Sequence, residues 1–204
     1  MSDEAAVNSF AIGHAAAQSW LHIAKVHFVA GSLDSALSAA ESAKLFCDRY
    51  SKVLQSRQEK SSQTSMVQVQ VLYAQVQILC GRIHREKNQL SLAVQEMERF
   101  DDFLTDNTGG SAPKFIEQES LFAIQCLGYL LRTEWMQESA CLEPHATLRR
   151  YKRAIAFKPS WEYGYFSLGR YYDKVRTMTR TNVLWNKLPN VFTYFRVRTV
   201  MLFL

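Results

Sequence analysis

The segment YKRAIAFKPSWEYGYFSLGRYY, residues 151–172, decides the fold class of the chain. Pro159 separates two stretches with helical spacing of apolar residues, and Pro144 precedes the first. Because proline is tolerated at a helix start and not inside a helix, the two prolines bracket a short helix. Ser160 is predicted to cap a last helix that runs to about Val175. The packing positions are Tyr151, Ala154, Ile155, Pro159, Trp161, Tyr165, Leu168, Gly169 and Tyr172.

The same mixture of small and aromatic residues occurs twice more, less completely, from Trp20 to Ala40 and from Tyr73 to Val94. Alanine and glycine let two helix backbones approach, and an aromatic ring fills the space beside them. Tetratricopeptide repeats of about 34 residues are built in this way. The spacing between the copies is irregular. The sequence therefore predicts an all-α, irregular α-solenoid of tetratricopeptide-like antiparallel helix pairs.

Apolar periodicity predicts five helices upstream of Pro144, with polar connections between them. A turn at Gly31 is followed by Ser32 as an N-cap, a second turn lies at 87–89, and loops are predicted at 56–65 and 105–114. The run VQVQVLYAQVQIL, residues 67–79, alternates as a strand does, but a segment of about 20 residues is too long for a strand. The predicted helices are 4–30, 33–57, 66–85, 90–104 and 115–143, the last broken near Thr133.

Each helix is predicted to turn one apolar face inward. For the first helix the predicted face is Val7, Phe10, Ile12, Ala16, Trp20, Ile23, Ala24 and Phe28. For the second it is Leu33, Ala36, Leu37, Ala40, Ala43, Phe46, Tyr50, Val53 and Leu54. For the third it is Val69, Leu72, Tyr73, Val76, Leu79, Cys80 and Ile83.

The chain is predicted to divide into helical pairs over 1–104, a loop over 105–114, further helical pairs over 115–175 and a tail over 176–204. The tail holds five basic residues and no acidic one, so 24 basic residues less these five equal the 19 acidic residues of the chain. The net charge of +5 therefore belongs to the tail, and no nucleic-acid surface is predicted on the body. Two alternatives stay open for the tail: an aberrant or truncated end, and a divergent helix. Its apolar end is also compatible with a membrane interface, although it is too short to span a membrane.

The segment LLRTEWMQESACLEPHATLRRYKRAIAFKPSWEYGYFSLGRYYDKV, residues 130–175, carries a family resemblance. Trp135-Met136, Trp161-Glu162 and the closing Tyr171-Tyr172-Asp173-Lys174 are its most specific features. The segment resembles the FAT region of ATR-like kinases, which are phosphatidylinositol-3-kinase-related protein kinases. Residues 1–129 fit the family only as helical pairs.

The resemblance implies a non-catalytic helical scaffold that supports the kinase domain of a DNA-damage checkpoint kinase in the nucleus. It implies the kinase domain or a regulatory subunit as the partner. The sequence holds no glycine-rich phosphate loop, no metal-binding Asp-Phe-Gly and no catalytic loop of a kinase, so no enzyme activity of its own is expected. We expect no cofactor, no direct contact with nucleic acid and no membrane span. Without the family role, the chain is expected to be a cytosolic protein.

Other catalytic and metal-binding arrangements are not supported by the residue spacing. His22 and His27 are five positions apart, whereas chelation from one helix face needs three or four. The carboxylates Asp101 and Asp102 lie near a predicted helix end, where a solvated edge explains them. No cysteine lies in a nucleophile motif.

The alternative function is a free-standing tetratricopeptide-like protein-binding module. Helix-pair arrays bind partner segments on a concave surface, and basic side chains suit an acidic or carboxylate-bearing partner. Ordinary solvated charges explain the same residues. The candidates are Lys25, Lys44, Arg82, Arg85, Arg149 and Lys152.

Two sets of residues are singled out for function. Ser62-Gln63 is an S-Q pair, the motif that kinases of this family phosphorylate, and Ser62 is therefore a possible phosphosite. The others are structural positions of the repeat. Trp161 is one of them, and its replacement by alanine is expected to cost about 3–5 kcal/mol if the ring is fully buried. The full structural set is Trp135, Tyr151, Pro159, Trp161, Leu168, Gly169 and Tyr172.

Overall fold

A computed structural model describes residues 3–55, 62–101, 116–139, 142–157 and 159–179 of the chain. These residues form seven α-helices and one short 3-10 helix, and the described ranges contain no strand. The predicted all-α fold is confirmed, and the alternating run 67–79 is helical. The helices are α1 Asp3–Val29, α2 Leu33–Gln55, α3 Ser62–Glu86, α4 Leu90–Glu96, the 3-10 helix Glu98–Phe100, α5 Ile116–Glu138, α6 Pro144–Phe157 and α7 Glu162–Thr179.

The chain divides into two compact units, with the boundary between Cys141 and Leu142. The first contains α1 to α5, and the second contains α6 and α7. The four-part division predicted from the sequence stays a prediction. Its loop at 105–114 and the tail from residue 180 onward lie outside the described residues, whereas 176–179 continue α7.

The predicted turn between α1 and α2 is formed by Gly31 in a left-handed conformation, with φ of 77°. A residue with a Cβ is strained at such an angle, which explains glycine there. The Ser32 N–H donates to the His27 carbonyl at 2.9 Å, which closes the end of α1. Ser32 directly precedes α2, at the predicted N-cap position. The turn at 87–89 is likewise observed, with Asn88 at φ 58°.

The core of the first unit is built on small residues where α1 meets α2. Ala17, Leu21 and Ala24 are buried on α1, opposite Ala36 and the other alanines of α2. The inward face predicted for α1 is therefore partly wrong, because Ile12, Trp20 and Ile23 are exposed. The apolar residues of this helix are not confined to one face, so periodicity alone did not identify its packing face, whereas small residues allow the closer approach. On α2 the buried residues are the alanines and Cys47. On α3 they are Val69, Leu72, Val76, Leu79, Cys80 and Ile83.

Contacts along the helices give their directions in the first unit. Gly13, early in α1, meets Tyr50 near the end of α2, so these two helices are antiparallel. Asp34 at the start of α2 pairs with Lys87 just after α3, which makes α2 and α3 antiparallel as well. Near their ends, α3 and α5 are joined by Arg85 and Glu138, so they run parallel. Helices α1, α3 and α5 therefore run in one direction; their repeat character stays a prediction.

Three predicted boundaries differ from the structure. Helix α3 begins at Ser62 rather than Met66, so the first turn of α3 occupies part of the predicted loop. Helix α5 is unbroken at Thr133, because its buried hydroxyl donates to the Tyr129 carbonyl at 2.8 Å and is satisfied within the helix. The fourth helix ends at Glu96 and a 3-10 turn follows, while residues 102–104 lie outside the description.

The second unit is a pair of helices around buried tyrosines. Helix α6 begins at Pro144, as predicted, and its Tyr151 is buried against Tyr171 of α7 at a centroid distance of 5.7 Å. The predicted cap at Ser160 is wrong: α7 begins at Glu162, and the Gly164 N–H donates to the Trp161 carbonyl. The aromatic residue, not the serine, therefore occupies the flanking position of α7.

Candidate scaffold and protein-interaction site

Trp135 of α5 is the largest side chain that is fully buried in the first unit, at 1 % exposed. It packs on α3 at Gly81, where an added Cβ would lie 2.7 Å from the indole Cζ3. The Met97 side chain, just after α4, approaches the same point. Only glycine at position 81 leaves room for the ring. At this point Trp135 of α5, Gly81 of α3 and Met97 after α4 therefore pack closely together.

Two similar contacts were not predicted from the sequence. Gly128 of α5 lies against the Phe100 ring, and Gly13 of α1 lies against the Tyr50 ring. In both cases the aromatic ring fills the volume that a Cβ would take. The available signal was a glycine inside an otherwise helical pattern, which often marks a close packing contact.

In the second unit, two of the predicted structural positions are buried: Tyr151 and Leu168. The neighbouring Tyr171 is also buried, and its hydroxyl donates to the Pro144 carbonyl at 2.9 Å. This bond links the far part of α7 to the first residue of α6. Burial raises the pKa of Tyr171, so the phenol stays protonated as the donor.

The other predicted positions of this unit are more open. Pro159 is exposed, whereas Gly169 and Tyr172 are half-buried. Trp161 is also half-buried, and its ring stacks on Tyr163 at a centroid distance of 5.6 Å. The condition of full burial attached to the Trp161 prediction is therefore not met. The structural importance of the whole set stays a prediction.

Arg132 of α5 is a buried cation that sequence reasoning missed; only 8 % of it is exposed. Its Nη1 donates to the Val94 carbonyl at 3.1 Å, and its Nε lies 3.1 Å from Asp101 Oδ2. The Nε–H forms no well-aligned hydrogen bond in the described part of the chain, so the Asp101 pair is held mainly by charge. Asp101 was predicted to lie on a solvated edge. The structure corrects this: its carboxylate is half-buried and neutralises Arg132.

Two of the six basic residues that were candidates for binding a partner, here called the basic clamp, form ion pairs inside the fold. Lys44 Nζ pairs with Glu96 Oε1 at 2.6 Å, and Arg85 makes a two-pronged contact with Glu138 at 3.1 and 3.2 Å. The bond to Glu138 raises the pKa of Arg85. Burial alone would lower the pKa of Lys44, but the hydrogen bond and charge of Glu96 outweigh it and raise the pKa.

The other four candidates for the clamp lie apart from these pairs. Lys25 and Arg82 are exposed on α1 and α3, and Arg149 and Lys152 are exposed on α6. Within the first unit, Lys25 and Arg82 are the two candidates that lie outside these ion pairs.

A cleft of about 300 Å³ lies between α1, α3 and α5. The amides of Gln18, Gln68 and Gln75 border it, and within the described residues none of the three has a hydrogen-bond partner. Burial lowers the pKa of His14, which favours a neutral imidazole at this place. The lining is completed by Val67, Val71, Leu72 and Ser120. The cleft is therefore uncharged and offers amide donors and acceptors.

Two of the described thiols are kept protonated by burial. Burial raises the pKa of Cys47 and of Cys80 to about 12, so both thiols are protonated and unreactive at neutral pH. In the part of the chain that the structure describes, no group of three or more His, Cys, Asp or Glu side chains is placed to hold a metal ion. None of the described helices is long and apolar enough to cross a bilayer.

The possible phosphosite Ser62 is the first residue of α3, not a loop residue as predicted. The correction concerns its position alone, and its phosphorylation stays a prediction.

A family model described as the FAT domain matches residues 3–195 of the chain. No solved structure shows a significant match to the chain. The FAT domain is the helical, non-catalytic region of phosphatidylinositol-3-kinase-related kinases, where it acts as a protein-interaction scaffold. The match spans nearly all of the sequence and agrees with the all-α fold and the tightly packed first unit. The chain therefore belongs to the FAT domain family.

Proposed function

We propose that the chain is part of the FAT region of an ATR-like checkpoint kinase, and that it braces the kinase domain without taking part in catalysis. The observation that carries this proposal is the motif-bearing segment 130–175, in which Trp135 and Tyr151 are fully buried. These two residues of the family pattern anchor the two compact units. The proposed partners are the kinase domain or a regulatory subunit, and the proposed location is the nucleus.

The mechanism is mechanical. Close contacts such as Gly81 with Trp135 leave little room for the helices of the first unit to shift separately. A partner that moved one helix would then move its neighbours with it, because packed cores transmit strain. Nothing in this mechanism needs a reactive side chain.

The transcript tests the proposal first. If codons for further helices and a kinase domain follow Lys174 in an expressed message, the brace has a domain to support. If every message stops at Leu204, the kinase role fails for this product.

A cellular test then addresses the ATR-like assignment. Trp135→Ala at the gene should reduce phosphorylation of S-Q substrates after replication stress, because the brace loses its largest buried ring. Leu45→Ala, at a side chain that is 50 % exposed, is the control and should leave the signal unchanged. Unchanged S-Q phosphorylation in the Trp135→Ala strain, at normal protein level, would contradict the assignment.

The cleft between α1, α3 and α5 favours a second candidate, a free-standing peptide-binding module. Its three glutamine amides match the alternating donors and acceptors of an extended, uncharged peptide. Selection from a phage-displayed peptide library should enrich such sequences. Binding should weaken in Gln68→Ala and Gln75→Ala and persist in Gln95→Ala, an exposed glutamine of α4. Equal binding by all variants would rule out this cleft.

Phosphorylation of Ser62 is proposed as a regulatory event. A phosphate at the first residue of α3 would add about two negative charges at the positive end of the helix dipole, which favours the helix. Ser62→Ala should remove one phosphopeptide signal after DNA damage. An unchanged phosphopeptide pattern would end this idea.

A further inference from the structure

Helix α6 turns a basic face to solvent. Arg149, Lys152 and Arg153 are all exposed, and their spacing of three and four residues places them within about 100° of arc on one side of the helix. We call these three residues the basic stripe. Tyr151 and Ala154 are buried on the opposite side of the helix, and Tyr151 contacts Tyr171 of α7. The stripe therefore lies on the side of α6 that faces away from α7.

No carboxylate of α6 offsets the charges of the stripe. The helix sequence PHATLRRYKRAIAF contains four Lys or Arg residues and no Asp or Glu. Within the described residues, neither Arg149 nor Lys152 forms an ion pair. Like charges three and four positions apart on a helix repel each other, so the stripe slightly destabilises α6. Carboxylates placed against the stripe would remove this repulsion.

The charge of the second unit has the same sign as the stripe. Residues 142–175 hold seven Lys or Arg and three Asp or Glu, whereas residues 1–141 hold 12 and 16. The two parts balance in the count over residues 1–175, and for this reason composition gave no sign of a basic surface. Taken by itself, the second unit attracts an anionic partner.

We propose that the basic stripe binds an acidic helix of a partner protein, in which Asp or Glu recurs every three or four residues. This inference goes beyond the proposed scaffold role, because it names the chemistry of a partner and holds whether or not a kinase domain follows. All α-helices rise about 5.4 Å per turn, so carboxylates at this spacing meet cations at the same spacing. The guanidinium of Arg149 has the fork geometry that holds a carboxylate through two parallel hydrogen bonds.

A membrane surface and a nucleic acid suit the stripe less well than an acidic helix. A basic helix binds a bilayer by inserting its apolar face, but that face of α6 is buried at Tyr151 and Ala154. Nucleic-acid surfaces commonly contact about 6–10 phosphates, whereas the stripe supplies three cations. A short row of carboxylates on one helix face matches the number and the spacing of these cations.

Fluorescence anisotropy of labelled synthetic peptides tests the proposal on the full chain. One helical peptide carries glutamates along a single face, and a second carries glutamines at the same positions. The wild type should bind the glutamate peptide with a dissociation constant of about micromolar or above, because exposed ion pairs each contribute little. This binding should weaken several-fold between about 50 and about 300 mM salt, and the glutamine peptide should not bind.

Charge reversal locates the contact. Arg149→Glu combined with Lys152→Glu should weaken binding of the glutamate peptide by about tenfold or more, since attractive pairs become repulsive. Arg82→Glu combined with Lys25→Glu is the matched control, because it changes the same residue types at exposed positions of the first unit. Its binding should stay within about twofold of the wild type. The basic residues of the tail are present in every variant, so any binding to them is common to all.

Urea unfolding distinguishes a lost contact from a lost fold. In Arg149→Glu, the new carboxylate precedes Lys152 and Arg153 by three and four positions, which is the favourable order on a helix. The unfolding midpoint should therefore be unchanged or higher although binding weakens. A lower midpoint would show that Arg149 stabilises the fold itself, and would overturn the proposal.

Four binding results would also overturn it. The first is a wild type that does not bind the glutamate peptide. The second is equal loss of binding in the two double variants, which would mean that the peptide responds to net charge alone. The third is equal binding of a peptide with the same composition whose glutamates lie on all sides of the helix. The fourth is tighter binding, through the stripe, to a single-stranded oligonucleotide or to phosphatidylserine-containing vesicles, which would assign the stripe to nucleic acid or lipid.

Discussion

Gly81 of α3 and Trp135 of α5 are in close contact. The indole ring occupies the space that a Cβ atom at position 81 would need. Gly81→Ala should destabilise the first unit by about 1–3 kcal/mol, because the new methyl group meets a buried, rigid ring. Trp135→Ala alone should cost about 3–5 kcal/mol through the cavity that it leaves. Urea unfolding followed by circular dichroism measures both changes.

The double variant is the control for this contact. With the indole ring absent, Gly81→Ala should be neutral or stabilise by up to about 1 kcal/mol, because alanine is the better helix former. An equal loss of stability from Gly81→Ala in both backgrounds would mean that the ring is not what excludes the methyl group.

The Arg132–Asp101 pair makes a second prediction for single residues. Asp101→Asn should destabilise the protein by about 2–4 kcal/mol, since it leaves a buried guanidinium without its counter-charge. Arg132→Met, which keeps the length and removes the charge, should cost less than Arg132→Ala. Asp34→Asn serves as the control, because its ion pair with Lys87 is at the surface and should be worth less than about 1 kcal/mol. Equal effects of Asp101→Asn and Asp34→Asn in urea unfolding would refute the buried pair.

Helix α1 allows a comparison between its two faces within one element. Leu21→Ala should cost about 2–5 kcal/mol, because this side chain is 3 % exposed in the core. Ile23→Ala, two positions away, should change the free energy of unfolding by less than about 0.5 kcal/mol. Both are measured by urea unfolding followed by circular dichroism. The reverse order of the two effects would show that the inward face of α1 is the one first predicted from periodicity.

Whether the structure of an element was predicted correctly depended on how strongly the residues of that element determine its conformation and packing. A turn was predictable where a single residue sets the backbone conformation, as Gly31 does. The start of α6 was predictable from Pro144. The packing face of α1 was not predictable, because the apolar residues of that helix are not confined to one face. A break was predicted at Thr133, but the hydroxyl has its partner in the preceding turn. Arg132 was missed because its counter-charge, Asp101, is 31 positions distant, and only folding brings them together.

At the scale of the whole first unit, three buried thiols report whether its helices open together. Cys47, Cys80 and Cys126 lie on α2, α3 and α5, and each is at most 2 % exposed. The pKa of Cys47 and of Cys80 is about 12, so at pH 8 only about one thiol in ten thousand is ionised while the unit stays folded. Iodoacetamide should therefore modify these thiols only when the unit opens.

If the helices form one cooperative core, the thiols of Cys47, Cys80 and Cys126 should be alkylated at one common rate, which urea accelerates equally for all three. Peptide mass spectrometry resolves the sites, and a Ser42→Cys thiol supplies the fast rate of an exposed position. Faster labelling of Cys126 than of Cys47 and Cys80 would show that α5 detaches while α1 to α3 stay packed. A brace that passes movement between helices needs the common rate, because an α5 that opened separately would release Trp135 from Gly81 and break the link that the proposed mechanism uses.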